Sequence, residues 1–218
     1  MNIIQLGTNN GDDHVNKFCK ENINNLNKII LIEPLNFLNK HIIKNYNELS
    51  YKSNIFIHNK IIVPKIEKKF IPIYYSLHDA DKEYDGYFTR ESENDIIRSY
   101  CLSSINKNHI INHYSDEHKN TINNSINSID VETNTINNII DIHDNLWIDY
   151  LFIDIEGIDF EVIYSIDFKK HNIKNIQVEY IHYKSNELVN LILYMKDHNY
   201  IVNRPIYNND YDILFTKQ

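Results

Sequence analysis

The amino-acid sequence predicts an open α/β fold, in which the strands of one sheet alternate with helices along the chain. Residues 3–6 form a short apolar run with β-branched character, and a glycine turn and an amphipathic segment to about residue 21 follow it. Apolar runs that end in an acidic residue recur at 28–33, 148–154 and 174–179. Two strand-like segments, 200–204 and 211–216, are joined by a turn and predict a terminal hairpin.

Composition limits the classes of function that the chain can have. Its 218 residues suit one domain, and its net charge of -8 disfavours a general grip on nucleic acid or on an anionic membrane. Cys19 and Cys101 lie far apart and form neither a metal motif nor a disulfide framework, so a reducing compartment is expected. No apolar run is long enough to span a bilayer. We therefore expect a single cytoplasmic domain over residues 1–218 (in the host cytoplasm if the source is viral), without a membrane partner and with an oligomer left open.

The glycine turn after the first strand predicts a ligand site. Gly7 and Gly11 are two of only 4 glycines in the chain, and glycine lets the backbone pass close to a ligand while amides at the helix start face it. The spacing is G-x-x-x-G and departs from the dinucleotide pattern, which suits an adenosine that carries no pyrophosphate. The alternative is an ordinary turn.

The next two strands supply further candidates for the same site. Glu33 ends the second strand beside the glycine turn, where its carboxylate would accept hydrogen bonds from both ribose hydroxyls of an adenosine, and Pro34 then turns the chain. A solvated carboxylate at a strand end is the alternative for Glu33. A third strand at 54–58 places His58 and Asn59 where they would flank an adenine, or serve as plain turn residues.

Regular periodicity weakens in the middle of the chain. Residues 70–75 predict a strand whose proline, Pro72, marks an edge or a bulge. The segments that follow are polar and rich in Asn and Ser. We expect an irregular insertion over about 74–128 that covers the open side of the pocket and recognises the molecule on which the protein acts, its acceptor.

The last third of the chain returns to clear elements. A short strand is predicted at 129–133, and Thr135 can cap a helix over 136–142. The central strand then ends in Asp154 and Glu156, next to Gly157. A further strand ends in Glu179, a helix is expected at 188–198, and the terminal hairpin follows.

Taken together, these stretches resemble the FkbM family of S-adenosylmethionine-dependent methyltransferases. The residues that carry the resemblance are Ile4-Gln-Leu-Gly-Thr-Asn-Asn-Gly11, Ile32-Glu-Pro34, Leu102-Ser-Ser-Ile105, Val131, Thr135-Ile-Asn-Asn-Ile-Ile140, the run from Ile148 to Ile163, Gln177-Val-Glu179 and Asp212-Ile-Leu-Phe215. The most specific part is Asp154-Ile-Glu-Gly157. Gln5 departs from the pattern, because many methyltransferases carry an acid there, although its amide oxygen can still accept a hydrogen bond from an ammonium group.

The resemblance implies a class I methyltransferase (Rossmann-like) fold. Its sheet has seven mostly parallel strands with an antiparallel last strand, and helices cover both faces. The implied activity is methylation of a hydroxyl on a sugar or another small molecule, with S-adenosylmethionine as methyl donor. The residues expected to bind the donor are Gln5, Gly7, Thr8, Asn9, Gly11, Glu33, Pro34 and Asn59.

Three acids at strand ends, Asp154, Glu156 and Glu179, are the catalytic candidates, because a hydroxyl needs a base or a metal to become a good nucleophile. In one hypothesis Asp154 or Glu156 is the base. In the other, Asp154 and Glu179 hold Mg²⁺ and Glu156 is the base, although Tyr180 occupies the place where a further acid would help. His182 is a further candidate base or a wall of the pocket. The structural alternative is that Asp154 and Glu156 cap the following helix.

Other functions remain open at this point. A nicotinamide-dependent oxidoreductase would also use Glu33, but the glycine spacing argues against it. A module that binds S-adenosylmethionine without catalysis would keep the same motifs. An RNA ribose 2'-O-methyltransferase is disfavoured by the acidic charge and by the lack of a clear Lys-Asp-Lys-Glu set. A small molecule or a glycan is therefore the expected acceptor.

Overall fold

In the computed structural model, residues 1–76, 102–144, 147–181, 183–206 and 211–218 are described. The chain divides into two compact units. The first contains Met1–Lys69 and Thr133–Gln218, and the second contains Phe70–Glu132.

Ten strands occur in the described ranges. They are β1 (Asn2–Leu6), β2 (Lys28–Ile32), β3 (Asn54–His58), β4 (Ile61–Ile62), β5 (Phe70–Ser76), β6 (Ile126–Asn134), β7 (Ile148–Ile153), β8 (Ile173–Glu179), β9 (Tyr200–Asn203) and β10 (Asp212–Lys217). The α-helices there are α1 (His14–Glu21), α2 (Asn39–Tyr46), α3 (Lys107–Asn112), α4 (Lys119–Ser125), α5 (Ile136–Ile142), α6 (Asp159–Tyr164) and α7 (Ser185–Asp197). Short 3₁₀ turns cover Ile23–Asn25, Asn36–Leu38 and Asn47–Leu49.

The first unit is built on a seven-stranded sheet with the order β3-β2-β1-β7-β8-β10-β9. The neighbours from β3 to β8 pair in parallel, and β10 pairs antiparallel with both β8 and β9. The predicted mostly parallel sheet with an antiparallel last strand is confirmed, and so is the terminal hairpin. Parallel strands end at one edge of the sheet, so the residues after β1, β2, β7 and β8 are brought together.

Side chains that alternate along the strands form two separate cores. Ile4 and Leu6 point into a large core that α5, α6 and α7 cover, whereas Ile3 points into a smaller core with residues of α1 and α2. Successive residues of a strand face opposite sides of the sheet, so these cores lie on its two faces. The prediction of helices on both faces is confirmed.

The boundaries of several elements follow from local chemistry. Thr135 caps α5 as predicted, because its hydroxyl oxygen accepts a hydrogen bond from the Asn138 N–H at 3.2 Å. The helix predicted at 188–198 begins earlier, at Ser185, where the Glu187 carboxylate accepts from the Lys184 N–H. Within the first unit, β4 pairs in parallel with Thr133 and Asn134.

The second unit is more regular than the sequence predicts. β5 pairs antiparallel with β6 from Phe70 opposite Glu132 to Ser76 opposite Ile126, so the strand predicted at 129–133 begins three residues earlier. The irregular insertion contains α3 and α4, whose buried Ile110 and Ile122 share a small core. Their Asn-rich sequences conceal the helical pattern, although the Asn106 side chain caps α3. Part of the predicted insertion, residues 77–101, lies outside the described ranges.

In the parts of the chain that the structure describes, no helix has both the length and the apolar character needed to cross a membrane.

Candidate functional site

A cavity of about 130 Å³ lies at the carboxyl edge of the seven-stranded sheet. Strands β1, β7, β8 and β10 and the start of α1 provide its walls. The described residues that line it are Gln5, Leu6, Gly7, Asp13, His14, Val15, Phe152, Ile153, Asp154, Gln177, Glu179 and Asp212. The sequence analysis named Gln5, Gly7, Asp154 and Glu179 as site residues, and the structure brings all four of them to this cavity.

The glycine turn owes its composition to tight packing. Gly7 has φ +80° and lies so close to β7 that an added Cβ would be 1.6 Å from the Asp154 carbonyl oxygen. Gly11 has φ +76°, and its added Cβ would lie 3.0 Å from the Tyr46 ring. Only glycine takes such a backbone without strain and leaves room for the neighbour. The two glycines therefore hold the turn against the sheet, whether or not a ligand is bound.

Glu33 lies beside this turn and is 3% exposed, so the alternative of a solvated carboxylate is wrong. Its two oxygens accept the N–H of Asn9 at 2.7 Å and the N–H of Leu35 at 2.9 Å. Burial raises the pKa of Glu33 to about 7, against the opposing effect of these two hydrogen bonds. The carboxyl group thus ties the glycine turn to the segment after β2. Its role towards a ribose stays a prediction.

The other residues expected to bind the donor lie around Glu33. Thr8 is fully buried, and its hydroxyl is 3.4 Å from the Ile32 carbonyl oxygen. Pro34 is half-buried after β2, and the Asn59 amide donates to the Glu33 carbonyl oxygen at 2.8 Å. Their polar groups support the turn itself.

His58 belongs to the end of β3 and not to a free turn. Its Nε2 lies 2.8 Å from Nε2 of His143, so one ring donates to the other. Burial lowers the pKa of both imidazoles. The pair links β3 to the end of α5, and a contact with an adenine remains untested.

Gln5 is oriented by two partners. Its Nε2 donates to Asp13 at 2.6 Å, and its Oε1 accepts the Tyr46 hydroxyl at 3.1 Å. Asp13 also caps α1 through the Asn16 N–H, and burial raises its pKa. Asp13 therefore places a carboxyl group beside Gln5, and the sequence analysis did not name it. An Asp immediately before an amphipathic segment was a cap signal that could have found it.

Asp154 and Glu179 face the same cavity as Asp212, at the start of β10. Asp212 lies opposite Glu179 in the antiparallel register and accepts a hydrogen bond from Gln177 at 2.7 Å. The side chain of Asp154 remains open to the cavity, yet the surrounding protein raises its pKa well above the usual value. Repulsion from neighbouring carboxylates adds to this effect, with contributions from Glu156, Glu179, Asp159 and Asp212. Asp212 and His14 were not named as site residues, because the run that begins at Asp212 carries the family resemblance without indicating a site and nothing in the local sequence distinguishes His14.

The turn after β7 does not support the alternative that Asp154 and Glu156 cap the next helix. The N-cap residue of α6, Ile158, makes no side-chain capping bond. Instead, the buried Asp159 carboxylate accepts the N–H of Ile155 at 2.8 Å and that of Gly157 at 3.0 Å. Glu156, between these two amides, has φ +60°. It is not among the described residues that line the cavity.

The structure leaves two predictions without support, the role of His182 and the Mg²⁺ site at Asp154 and Glu179. His182 lies outside the described residues. Within the described ranges, neither Asp154 nor Glu179 belongs to a group of three or more His, Cys, Asp or Glu ligand atoms within 4.8 Å of one another. Mg²⁺ is commonly held by one or two carboxylates, with water in its other positions, so the Mg²⁺ site stays a prediction without further support among the described residues.

Comparison with known proteins gives the family. The family model described as the methyltransferase FkbM domain matches residues 5–202. No curated protein and no solved structure gives a match to this chain. The matched span runs from Gln5 in β1 into β9 and contains the glycine turn, Glu33, Asp154 and Glu179. The mixed α/β fold with its seven-stranded, mostly parallel sheet fits a methyltransferase, and the chain belongs to the FkbM methyltransferase family.

Proposed function

We propose that this chain is an S-adenosylmethionine-dependent O-methyltransferase that acts on a hydroxyl group of a sugar or another small molecule. Family membership makes it a methyltransferase in general. The observation that carries the finer proposal is the cavity at the strand ends, where a glycine turn meets four carboxyl groups. A Rossmann-like class I fold is part of the proposal, because ligands of open α/β sheets bind at the carboxyl ends of the strands.

The cavity lining suits a cationic methyl donor. Four of the described lining residues carry carboxyl groups, namely Asp13, Asp154, Glu179 and Asp212. No lysine or arginine is among the described lining residues. Such a wall favours a ligand with a sulfonium and an ammonium group. Asp13, next to Gln5, offers the charged acceptor for the ammonium group.

The adenosine end of the donor would lie along the glycine turn. Each Glu33 oxygen accepts one backbone N–H and keeps a second lone pair for a ribose hydroxyl. In the proposal, this end of the site is also shaped by Thr8, Asn9, Pro34 and Asn59.

Asp154 is the proposed general base. When bound, S-adenosylmethionine supplies a methyl group on a sulfonium, whose sulfur leaves as a neutral thioether. Asp154 would take the proton of the acceptor hydroxyl as that oxygen attacks the methyl carbon in line with the departing sulfur. Its raised pKa makes its carboxylate a stronger proton acceptor than an ordinary aspartate. Glu156 and Glu179 are the alternative bases, and no step is assigned to Mg²⁺.

The second unit, Phe70–Glu132, is proposed to recognise the acceptor, a small molecule or a glycan. Substitutions on its surface should then change the KM for the acceptor and leave the affinity for S-adenosylhomocysteine unchanged. A cytoplasmic location belongs to the same proposal.

Calorimetry with S-adenosylhomocysteine tests the donor, with NAD as the competing ligand. Binding of S-adenosylhomocysteine alone supports the proposal, and binding of NAD alone would point to an oxidoreductase. A folded protein that binds neither S-adenosylmethionine nor S-adenosylhomocysteine would refute it.

The base is tested with Asp154→Asn and Glu156→Gln once an acceptor is found. Loss of turnover only in Asp154→Asn supports Asp154 as the base.

Full donor affinity without turnover on any hydroxyl compound would favour a binding module, and turnover on RNA would favour a ribose methyltransferase. Sensitivity to EDTA would restore the metal hypothesis.

A further inference from the structure

Asp159 is a buried acid close to the proposed site. The proposed function assigns no role to it. It is 2% exposed and opens α6, two residues after Gly157. We propose that Asp159 is a positioning residue, whose carboxylate fixes the 154–157 turn so that Asp154 points into the donor cavity. This inference rests on the proposed function, because it concerns the residue assigned there as the base.

The hydrogen bonds of Asp159 are bidentate. Its two oxygens take the N–H groups of Ile155 and Gly157, at 2.8 Å and 3.0 Å. These amides flank Glu156, whose φ of +60° is in the left-handed region that a non-glycine residue enters at a cost. Two converging donors that lie on either side of such a residue need two acceptor atoms. A carboxylate provides both, whereas an asparagine in the same place provides one.

The opposite side of the turn is held by β1. The Asp154 N–H donates to the Leu6 carbonyl oxygen at 3.1 Å, and Gly7 packs directly against the Asp154 carbonyl. The peptide of Asp154 is therefore fixed from the sheet, and the next three residues are fixed from Asp159. Without Asp159, Asp154 would keep its contacts with β1, but the residues that follow it would lose the bonds that fix their path and, in the proposal, the direction of its side chain.

Several charged and polar groups face Asp159. Asp154 and Glu156 repel it, and Tyr183 approaches from the segment before α7 with its hydroxyl near the Phe160 N–H and the Glu161 carboxylate. A buried acid beside two others is unfavourable for folding. The two backbone hydrogen bonds to Asp159 offset part of this cost, and the same two bonds fix the geometry of the 154–157 turn.

The test compares Asp159→Asn with Asp167→Asn. Asp167 is the control, because its Oδ1 alone accepts two backbone N–H groups, those of Lys169 and Lys170, on an exposed loop that does not line the cavity. Two quantities are measured in each protein. They are the S-adenosylhomocysteine affinity by calorimetry and the hydrogen-exchange rates of the Ile155 and Gly157 amides by NMR.

In Asp159→Asn we expect the affinity to fall about tenfold and exchange at both amides to rise about tenfold, since a buried charged hydrogen bond is lost. Exchange in the middle of β7 should stay at its wild-type rate, which a general loss of stability would not allow. In Asp167→Asn both quantities should remain within about twofold of the wild type, because surface bonds of this kind contribute little.

Wild-type affinity and wild-type exchange in Asp159→Asn would overturn the proposal. If that variant does not fold, Asp159→Glu replaces it, since glutamate carries the two oxygens one methylene farther out. Unchanged affinity in Asp159→Glu would then overturn the proposal, and a fall of about tenfold would support it. Absence of binding by the wild-type protein would refute the proposed function instead, and exchange at the two amides would still decide whether Asp159 holds the turn.

Discussion

Replacement of Gly7 by alanine is the sharpest test of how the site is built. The added Cβ would lie 1.6 Å from the Asp154 carbonyl oxygen, about 1.4 Å closer than the 3.0 Å that real contacts respect. Because the obstacle is backbone, β1 and the end of β7 must separate. That movement strains the hydrogen bonds from Gly7 N–H to Ile32 and from Asp154 N–H to Leu6, which are now 3.0 Å and 3.1 Å long.

The expected cost follows from these terms. A positive φ costs an alanine about 1 kcal/mol, two disturbed backbone hydrogen bonds cost about 1 kcal/mol each, and the displaced core adds about 1–3 kcal/mol. We therefore expect Gly7→Ala to lower the free energy of unfolding by about 4 kcal/mol or more, a large part of the total stability of a domain.

Gly11→Ala is the matched control. Its φ is similar, but the added Cβ meets the Tyr46 ring at 3.0 Å and the Ile42 Cα at 3.3 Å, so small shifts suffice and a loss of about 2 kcal/mol is expected. Urea unfolding followed by circular dichroism measures both variants. A Gly7→Ala protein within 1 kcal/mol of the wild type, or less affected than Gly11→Ala, would refute the packing argument.

Three further substitutions test individual contacts, all by urea unfolding. Glu33 has a pKa of about 7 in the folded protein and 4.5 in the unfolded chain, so the folded state binds its proton more tightly. The contribution of Glu33 to the free energy of unfolding should therefore fall by about 3 kcal/mol as the pH rises from 4 to 8. Glu33→Gln should flatten this part of the pH dependence, and an unchanged slope would contradict the prediction. Tyr46→Phe removes the buried hydrogen bond to Gln5 and should cost about 1–2 kcal/mol, whereas no loss would mean that water replaces it. Neither ring nitrogen of the buried His171 has a hydrogen-bond partner among the described residues, although Nε2 lies 3.8 Å from a carboxylate oxygen of Asp141. His171→Leu should therefore add about 1 kcal/mol, and a clear loss would show that the contact with Asp141 outweighs the cost of burying the ring.

The elements of the large sheet could be predicted because their signals are local. The apolar run at 54–58 predicted β3 with both ends correct, and Thr135 predicted the start of α5.

In the middle of the chain the helical pattern could not be recognised, for a compositional reason. Asparagine is a poor helix former and a common cap, so α3 and α4 resembled loops although each buries an isoleucine.

The site could be predicted only in part, because its remaining residues come together through the fold. Gly7, Glu33, Asp154 and Glu179 stand at the ends of apolar runs, where a pattern can find them. Asp212 reaches the cavity only because β10 turns back antiparallel beside β8, which no local sequence encodes.

The position of the acids suggests that the site is maintained at the expense of stability. Burial raises the pKa of Asp13, Glu33 and Asp159 in the folded protein, and desolvation by the surrounding protein together with neighbouring carboxylates raises that of Asp154. A carboxyl group with a raised pKa destabilises the fold at neutral pH, since the folded state must hold a charge that the unfolded chain holds more easily. Four such groups around one sheet edge are unfavourable as structural elements, and backbone or amide donors offset the cost only for Asp13, Glu33 and Asp159 among the contacts described above. In the proposed function, a positively charged ligand at this edge would offset part of that cost, because its charge counters the repulsion among the carboxylates.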